Sequence, residues 1–460
     1  MTEQELLKII GNLADQKKTS VWAVGGFVRD KFLNKSVKDI DFAVVGEGPR
    51  FAKNVAKKLG TRNVVIFPKF GTAMVDVEDF RLEFVTARSE SYLENSRKPI
   101  VTRSDLDSDL LRRDFTINCI AYGLNRENFG KIYDPLNGKT DIKAKIIRTP
   151  LDPVVTFKDD PLRIMRAIRF ATQLGFEIDQ NTFQALKQMR QRLEIISLER
   201  ISEELKKIIM ATRPSTGFYL LDEVGVLDII FPEMVAMKGV EQREGYHHKD
   251  AFHHTLMVVD NVAKVSDKFD LRFAALVHDI AKPRTKRFIE GTGWTFHGHD
   301  EIGARMLPEI CQRFKLPNST LKYTQKLTRL HLRPIHLSEE GVTDSAMRRL
   351  LFQAGEHLED LLTLCRADIT SGNPRRVKKH LANFDHVVAR LEEVEEKDSM
   401  RAFQSPVRGD EIMAVCGIPL GPKVGQLKKM IEEAILDGLI PNEHDAAYQY
   451  LLEVKDQVIG

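Results

Sequence analysis

Alternating apolar and polar positions mark the first 150 residues of the chain as a mixture of strands and helices. SVWAVGG and DIDFAVVG are typical of buried strands, and FVRDKFL between them has a short helical pattern. TAMVDVED and RLEFVTA alternate apolar and polar residues, as half-buried strands do. This part of the sequence therefore predicts a small α/β domain built on a mixed sheet.

The pattern changes at about Pro161, after which strand signals nearly vanish. PLRIMRAIRFATQLGF, EELKKIIMATR and FAALVHDIA all show helical periodicity. Near the end of the chain, a turn between two helices is predicted by Gly417, Pro419, Gly421 and Pro422. The predicted fold class is α+β, with a mixed-sheet domain followed by a long, mostly helical part.

The length of the chain, 460 residues, suits three or four domains at roughly 100–200 residues each. We expect a mixed-sheet domain over 1–150 and a helical neck and body over 151–240. A further helical domain is expected over 241–373, followed by a helical tail over 374–460.

Composition and cysteine usage indicate a cytoplasmic protein. Hydrophobic residues make up 42% and charged residues 29%, and no run of about 18 apolar residues predicts a membrane span. The amphipathic N-terminus, with acidic as well as basic residues, is unlike a secretory signal. Four cysteines lie far apart without a CxxC pair, which is typical of free thiols in a reducing compartment.

The net charge of +3 is too small to identify a nucleic-acid partner. The distribution of arginines is more informative, because clusters recur at Arg112-Arg113, over 163–169, over 190–192 and at Arg348-Arg349. Such clusters can bind phosphates, although a solvated helix face remains the alternative for each of them.

The run VGGFVRDKFLNKSVKDID contains the first candidate chemistry. Gly25-Gly26 ends a strand and opens a helix, so the backbone there can approach a phosphate, and Arg29 lies one turn further on. A simple tight turn is the alternative. Asp39 and Asp41 point to the same face of a strand whose other residues are apolar, and two adjacent carboxylates are costly without a cation between them. This pair predicts a divalent-metal site suited to phosphoryl transfer.

Glu83, on the predicted strand RLEFVTA, is a candidate for a third carboxylate at the same place. An ordinary surface glutamate on an alternating strand is an equally good interpretation.

These motifs resemble those of the polymerase-β-type nucleotidyltransferases, in the branch of class II CCA-adding enzymes and bacterial poly(A) polymerases. GGFVRD and KDIDF are followed, in the family's order, by RRDFTIN, YDPLNG and DDPLRIMRAIRF. The resemblance implies Mg²⁺-dependent addition of CCA to tRNA from CTP and ATP, with Asp39 and Asp41 as the catalytic metal ligands. It also implies nucleotide binding by a set of glycines, arginines and one aspartate: Gly25, Gly26, Arg29, Arg112, Arg113, Asp160, Arg163, Arg166 and Arg169.

The resemblance also assigns base selection to Asp160 and Arg163, on a helix expected to include Asp159–Arg169 with Asp159 or Asp160 as its cap. A carboxylate accepts from the amino group of cytosine or adenine, while a guanidinium donates to the ring nitrogen. Uracil and guanine present the opposite pattern. Asp159 stands where the family has glutamate, and this departure keeps the charge.

Nine of the 13 histidines fall between His247 and His336. The order of motifs, with His278-Asp279 expected on an apolar helix, resembles the HD superfamily of metal-dependent phosphohydrolases. The resemblance implies a metal site formed by His254, His278, Asp279 and Asp368, with His299 and His331 as further candidates. Such ligands suit Mg²⁺, Mn²⁺ or Ni²⁺ and imply phosphatase or cyclic-phosphodiesterase activity, whereas a purely structural HD fold is the alternative.

Two other functions remain open at this point. One keeps the chemistry but changes the product, giving a poly(A) polymerase or an enzyme that adds only CC or only A. The segment VVGEGPRFAKNVAKKLG lacks the basic stretch associated with poly(A) polymerases. The other is an HD phosphohydrolase whose nucleotidyltransferase-like part only binds RNA, and the intact Asp39/Asp41 pair disfavours it.

Overall fold

The computed structural model describes residues 1–68, 71–91, 100–240, 250–337, 343–370, 373–398 and 404–459. It divides into two compact units, Met1–Pro232 and Glu233–Gly460. Of the boundaries expected from the sequence, those at 150 and 373 fall inside these units. The boundary at 240 adjoins residues 241–249, which include His247 and His248 and lie outside the described residues. The four-domain division stays a prediction.

Most strands of the described residues lie in the first unit. They are β1 (Ser20–Val24), β2 (Asp39–Val45), β3 (Val64–Phe67), β4 (Thr72–Val77), β5 (Phe80–Thr86), β6 (Arg88–Ser91), β7 (Ile100–Arg103), β8 (Ala121–Gly123), β9 (Ile132–Tyr133), β10 (Ile146–Ile147) and β11 (Glu177–Ile178). The main sheet has the order β3-β4-β5-β2-β1-β8-β9. Within it β2 and β5 run parallel, while the other neighbours are antiparallel. The predicted mixed sheet is confirmed.

Helices are interspersed with these strands, and the remainder of the first unit is mostly helical. They are α1 (Glu3–Gln16), α2 (Gly26–Phe32), α3 (Gly48–Leu59), α4 (Leu106–Leu111), α5 (Gly138–Ala144), α6 (Pro153–Asp159), α7 (Leu162–Leu174), α8 (Gln180–Met189), α9 (Leu198–Ile209), α10 (Pro214–Val224) and α11 (Leu227–Ile230), with 3₁₀ turns at Thr116–Asn118 and Arg190–Ile195. Helix α12 (Pro232–Ala236) begins at the division between the units.

The core of the first unit forms on one face of β2. Strand alternation directs Ile40 and Phe42 away from the two aspartates, and both apolar side chains are buried. Phe42 stacks on Phe84 of the parallel strand β5 at 4.7 Å between ring centroids. The opposite face of β2 carries Asp39 and Asp41 at its start, and Ala43 further along it is buried in a smaller apolar cluster with Val24 and Leu110.

The second unit is almost entirely helical. Its helices are α13 (Ala251–Ala263), α14 (Phe269–Val277), α15 (Lys282–Thr285), α16 (His299–Arg313), α17 (Asn318–Leu330), α18 (Arg333–His336), α19 (Asp344–Ala354), α20 (Leu358–Asp368), α21 (Pro374–Asp398), α22 (Gly409–Cys416), α23 (Pro422–Leu436), α24 (His444–Val454) and α25 (Asp456–Ile459), with a 3₁₀ turn at Gly355–His357. A small hairpin of β12 (Arg287–Ile289) and β13 (Gly293–Thr295), absent from the sequence prediction, precedes α16. The predicted turn near Pro419 separates α22 from α23. No described helix is long and apolar enough to cross a membrane.

Candidate active site and candidate metal centre

Three carboxylates of the first unit share one face of the sheet. Asp39 and Asp41 are two residues apart on β2, and Asp41 lies directly opposite Glu83 in the register of β2 and β5. On the other side of β2, Asp41 is opposite Val24, the last residue of β1 before the glycine turn. The strand pairing thus brings the two aspartates and the glycine turn to one place. Glu83, which the sequence alone left open, lies beside them on β5.

These carboxylates repel one another. Burial raises the pKa of Asp41, and the neighbouring charge of Asp39 adds to the rise although Arg113 opposes it. Burial also raises the pKa of Glu83, followed by the charge of Asp41. A site where negative charge is held at such a cost is suited to a cation.

The glycine turn lies against the same carboxylates. Gly25 has φ of +72°, which favours glycine, and it is the N-cap of α2. A Cβ at this position would lie 3.2 Å from Asp41 Oδ2 and 3.1 Å from Arg113 Nη1. A side chain here would therefore crowd both an acidic and a basic group of the site.

A buried aspartate that the sequence interpretation missed orients both arginines of RRDFTIN. Asp109 Oδ1 accepts from Arg112 Nη2 at 2.5 Å and from Arg112 Nε at 3.0 Å, while Asp109 Oδ2 accepts from Arg113 Nη2 at 2.9 Å. The charge of Arg113 acts on Asp41, which places this arginine beside the carboxylates. Between the two arginines, the geometry favours Arg113 as the one that faces the acidic strand.

A second buried aspartate links Arg166 to the glycine turn. Asp114 Oδ2 accepts from Arg166 Nε at 2.8 Å, and Asp114 Oδ1 accepts from Asn118 Nδ2 at 2.9 Å. Asn118 Oδ1 in turn accepts from Arg29 Nη1 at 2.8 Å. Burial acts against ionisation of Asp114, but Arg166 and Asn118 together hold its pKa below the usual range.

The segment around Asp160 differs from the single helix expected from the sequence. Helix α6 ends at Asp159 and α7 begins at Leu162, so that Asp159 belongs to the earlier helix. The break arises because a residue before proline disfavours helical backbone angles, and Asp160, before Pro161, is extended with φ of −134° and ψ of 98°. The N-cap of α7 is Pro161 and neither Asp159 nor Asp160, although Asp160 Oδ1 accepts from Leu162 N, the first residue of that helix, at 3.2 Å.

Asp160 and Arg163 also have partners that the sequence did not indicate. Asp160 Oδ2 accepts from Arg200 Nη2 of α9 at 3.2 Å. The Arg163 guanidinium donates to the carbonyl oxygens of Thr156, at 3.4 Å, and Arg112. Arg200 lies 40 residues after Asp160 on a helix whose polar positions look like an ordinary solvated face, so no local pattern marks it.

The three carboxylates of the sheet, the glycine turn and the arginines described above line one cleft of about 1040 Å³ in the first unit. Its walls include every residue of this unit that the sequence indicated for catalysis or nucleotide binding: Gly25, Gly26, Arg29, Asp39, Asp41, Arg112, Arg113, Asp160, Arg163, Arg166 and Arg169. Glu83, Arg192, Arg200 and Lys207 line it as well. A cleft with nine arginines around a group of carboxylates can hold a polyanion together with cations.

The second unit contains a separate centre built from helix ends. His254 lies in the first turn of α13, and His299 begins α16. His331 follows α17 directly, and Asp368 ends α20. The sequence placed His278-Asp279 on a helix, but α14 ends at Val277 and the pair lies in the turn after it, where Ile280 N donates to Val277 O. This turn forms because Pro283 starts a new short helix, and it leaves both side chains at the centre.

The donor atoms of this centre converge. His254 Nε2 lies 2.8 Å from Asp368 Oδ1, and His278 Nε2 lies 3.2 Å from Asp279 Oδ2. His299 Nε2 lies 3.2 Å from Asp279 Oδ1. Within the described part of the chain, two groups have potential ligand atoms that all lie within 4.8 Å of one another: His254 with His278, Asp279 and Asp368, and Asp279 with His299 and His331. Asp279 belongs to both groups.

Backbone carbonyls fix the orientation of three of the imidazoles. The Nδ1 atoms of His278, His299 and His331 lie 2.9, 2.7 and 2.7 Å from the carbonyl oxygens three residues earlier. An Nδ1–H that donates to a carbonyl leaves the Nε2 lone pair free to bind a metal. Here each Nε2 faces the carboxylates, which is the arrangement of a metal centre.

In this centre, the negative charges of the aspartates lie close to positive charges that stabilise them. Burial acts against ionisation of Asp279, but His278 and Lys282 hold its pKa well below the usual range. Burial lowers the pKa of His278, yet Asp279 and Asp368 outweigh it and raise that pKa to about 10. The two carboxylates therefore attract a cation, either a proton on His278 or a metal ion among the same atoms.

Three family models match the chain. Residues 21–148 match the poly A polymerase head domain, and residues 175–237 match the probable RNA and SrmB-binding site of polymerase A. Residues 251–372 match the HD domain.

Similar proteins of known name cover most of the chain. An A-adding tRNA nucleotidyltransferase of Deinococcus radiodurans is 32% identical over 351 residues, which are 74% of this chain and 78% of the relative. A multifunctional CCA protein of Pasteurella multocida is 32% identical over 366 residues, or 76% of this chain and 83% of that protein. The crystal structure of the Bacillus stearothermophilus CCA-adding enzyme in complex with CTP is similar with a TM-score of 0.67 and 25% identity, covering 99% of both chains.

Proposed function

The chain belongs to the family of class II CCA-adding enzymes and bacterial poly(A) polymerases, in its HD-containing form, and from that membership we propose that it adds CCA to the 3′ end of tRNA from CTP and ATP. The observation that carries the proposal is the cleft of the first unit. It brings the acidic strand, the glycine turn and the Asp160–Arg163 segment together. This arrangement supports template-free nucleotide addition in the cleft.

The carboxylates of β2 fit divalent metal ions. Asp39, Asp41 and Glu83 offer oxygen ligands, which Mg²⁺ prefers, and the pKa values of Asp41 and Glu83 are raised by burial although nearby arginines offset part of that rise. Asp39 and Asp41 would hold the ions, with Glu83 beside them. Bound there, two ions would clamp the attacking and leaving oxygens of phosphoryl transfer.

The arginines of the cleft suit the triphosphate. Arg113 lies beside Asp41 and Gly25 and is held by Asp109, so its guanidinium is oriented before any ligand arrives. Arg166 and Arg29 are joined through Asp114 and Asn118. We assign these three arginines to the phosphates, with Arg112 and Arg169 as supporting cations.

Asp160 and Arg163 would select the base. Arg163 is anchored on two backbone carbonyls, and both side chains line the cleft. A carboxylate can accept only, and a guanidinium can donate only, which matches the amino group and ring nitrogen of cytosine and adenine. Uracil or guanine would leave buried polar groups unpaired, which is a strong basis for rejection.

For the second unit we propose a metal-dependent phosphohydrolase activity on phosphate esters of nucleotides or RNA ends. The converging Nε2 and carboxylate atoms support it, as do the carbonyl bonds that orient the imidazoles. Imidazole with carboxylate suits Ni²⁺, Mn²⁺ or Mg²⁺, and such an ion would supply an activated water. Because Asp279 belongs to both ligand groups, we assign it as the shared ligand, with His299 and His331 completing the set.

The proposed function is tested by incubating the protein and Mg²⁺ with a tRNA transcript lacking CCA and each of the four nucleotides. A hairpin of unrelated sequence serves as the control RNA. On the tRNA we expect incorporation from CTP alone, incorporation from ATP once CTP is also present, and little from UTP or GTP. Long adenosine tracts on both RNAs would instead identify a poly(A) polymerase, and absence of incorporation would contradict nucleotide addition altogether.

A further inference from the structure

Asp160, the residue we assign to base selection, is engaged at both carboxylate oxygens. Oδ1 accepts from Leu162 N, and Oδ2 accepts from Arg200 Nη2, each at 3.2 Å. The first contact belongs to the start of α7, whereas the second comes from the first turn of α9. The orientation of this carboxylate is therefore set from two different helices.

A second ion pair between the same two helices positions Arg200. Arg169 Nε of α7 lies 2.8 Å from Glu204 Oε2 of α9, and both side chains are at least 90% buried. Glu204 is four residues after Arg200, so the two side chains lie on the same side of α9. The buried pair fixes that side of α9 against α7, and Arg200 is brought to Asp160 by the helix itself.

We infer that Arg200 is a positioning residue for base selection, which it serves by holding the Asp160 carboxylate in the orientation that accepts from the amino group of cytosine or adenine. The inference rests on the proposed role of Asp160. Each carboxylate oxygen has two lone pairs, so Oδ2 can accept from Arg200 and from a base together. Arg200 does not contact the base in this account.

The same geometry explains rejection of the other bases. A fixed carboxylate opposes the carbonyl oxygen of uracil or guanine and cannot turn away from it. Without Arg200, only the bond from Leu162 N still holds the carboxylate, which can then turn its Oδ2 toward Arg163, three residues on, and lose the acceptor edge to that pairing. We therefore expect loss of Arg200 to reduce discrimination between nucleotides more than it reduces the rate with CTP or ATP.

The test compares kcat/KM for CTP and UTP on a tRNA transcript lacking CCA, and for ATP and GTP on a transcript lacking only the final A. Arg200→Gln is expected to lower the preference for CTP over UTP, and for ATP over GTP, by about twofold to fivefold, because the side chains of Arg200 and Asp160 are 47% and 25% exposed and solvent weakens such an ion pair. Arg200→Lys is expected to recover part of the preference because its ammonium can still donate to Oδ2. Lys206→Gln is the matched control, since it removes a positive charge from the same helix at an exposed pair with Glu203.

A combined variant separates this inference from the proposed function. If Arg200 acts through Asp160, Arg200→Gln adds no further loss of preference to Asp160→Ala. An unchanged preference in Arg200→Gln, alongside a reduced one in Asp160→Ala, overturns the role of Arg200 and leaves the proposed function intact. An unchanged preference in Asp160→Ala overturns the selection role itself. Equal losses with all four nucleotides in both Arg200→Gln and Arg200→Lys, with normal thermal unfolding, would show a structural role and contradict the inference.

Discussion

The two candidate sites of this chain hold charge in different ways. In the cleft of the first unit, Asp39 is exposed on the rim of a sheet, and the surrounding arginines are held by carboxylates outside the acidic strand. In the second unit, His278, Asp279 and His331 are almost completely buried, and their donor atoms already converge. Among the described residues, only the second unit brings three or more potential ligands within 4.8 Å of one another.

This difference indicates two uses of metal. A preassembled set of imidazoles and carboxylates is suited to a permanently bound ion, because the ligands have to move little when the ion binds. An open group of carboxylates among arginines lacks ligands that Mg²⁺ requires, and the triphosphate of the substrate can provide them. We therefore expect the first site to lose its metal with its substrate and the second to retain it.

The largest effect is expected from the acidic strand. Asp41→Ala or Asp39→Ala removes a metal ligand, and metal stabilisation of the transition state amounts to several kcal/mol, so nucleotide addition should fall by about a thousandfold or more. The rate of addition in Mg²⁺ is the measurement, with tRNA binding and phosphate release by the second unit as controls. Addition at near the unsubstituted rate in both variants would exclude the metal assignment.

His278→Ala combined with Asp279→Ala tests the metal centre of the second unit. The change removes two converging ligands. Loss of a residue that only bonds to a ligand costs about tenfold to a hundredfold in metal affinity or activity, so here we expect both metal affinity and the rate of 2′,3′-cyclic phosphate hydrolysis to fall by at least about a hundredfold. The assay is repeated with Mg²⁺, Mn²⁺ and Ni²⁺, and metal content is measured directly. Nucleotide addition is expected to persist, because its candidate residues belong to the other unit. A folded double variant that loses addition would contradict two independent sites.

Asp160→Ala tests selection without removing the metals. One hydrogen bond to a charged group is lost, and the preference for CTP over UTP should decrease by about tenfold to a hundredfold. Relative kcat/KM values are the measurement, with Asp152→Ala as a control because its carboxylate caps α6 only. An equal loss with all four nucleotides would identify Asp160 as structural.

Metal removal gives a smaller effect that sharpens the comparison. A metal that binds only the folded protein raises stability by about 2.7 kcal/mol when its free concentration is 100 times the dissociation constant. We expect Mn²⁺ to raise the unfolding temperature of chelator-treated protein, and the His278→Ala/Asp279→Ala variant to show no rise. An equal rise in both would show that the metal acts elsewhere.

The smallest effect concerns Asp41 in the metal-free protein. Burial raises the pKa of this carboxyl, so the folded state binds its proton more tightly than the unfolded state. The associated stability is present at acidic pH and is lost as the pH rises through the folded pKa. Asp41→Asn is therefore expected to unfold at a higher temperature than the unsubstituted protein at pH 7, with the difference decreasing toward pH 4. A lower unfolding temperature at pH 7 would contradict the sign.

Much of the fold followed from local patterns. An apolar run identified β2, alternation identified β5, and helical periodicity identified α7. Glycines and prolines identified the turn around Pro419. All these features depend on residues close in sequence. The helix ends around Asp160 and His278 were wrong, since a proline one or several residues later decided each of them. Helix boundaries depend on such details more than on periodicity.

The site residues that lie in short sequence motifs could be predicted. Those that join the site only through tertiary contacts could not. Asp39, Asp41 and Arg113 belong to short motifs, and the structure brings them to one cleft. Asp109 and Arg200 were missed because only side-chain contacts in the fold reveal their roles. An aspartate one turn before two arginines has no distinct sequence pattern, and neither has an arginine 40 residues after Asp160. The roles assigned to all these residues stay predictions.

The central claim, that one cleft adds both C and A, is tested most directly by sizing products from three tRNA transcripts that lack CCA, CA or A. With CTP and ATP together, we predict additions of three, two and one nucleotides, each stopping at a completed CCA end. With ATP alone, only the transcript lacking A should be extended. Extension of that transcript only, under every condition, would show an A-adding enzyme, as in the Deinococcus radiodurans relative, and would contradict the claim.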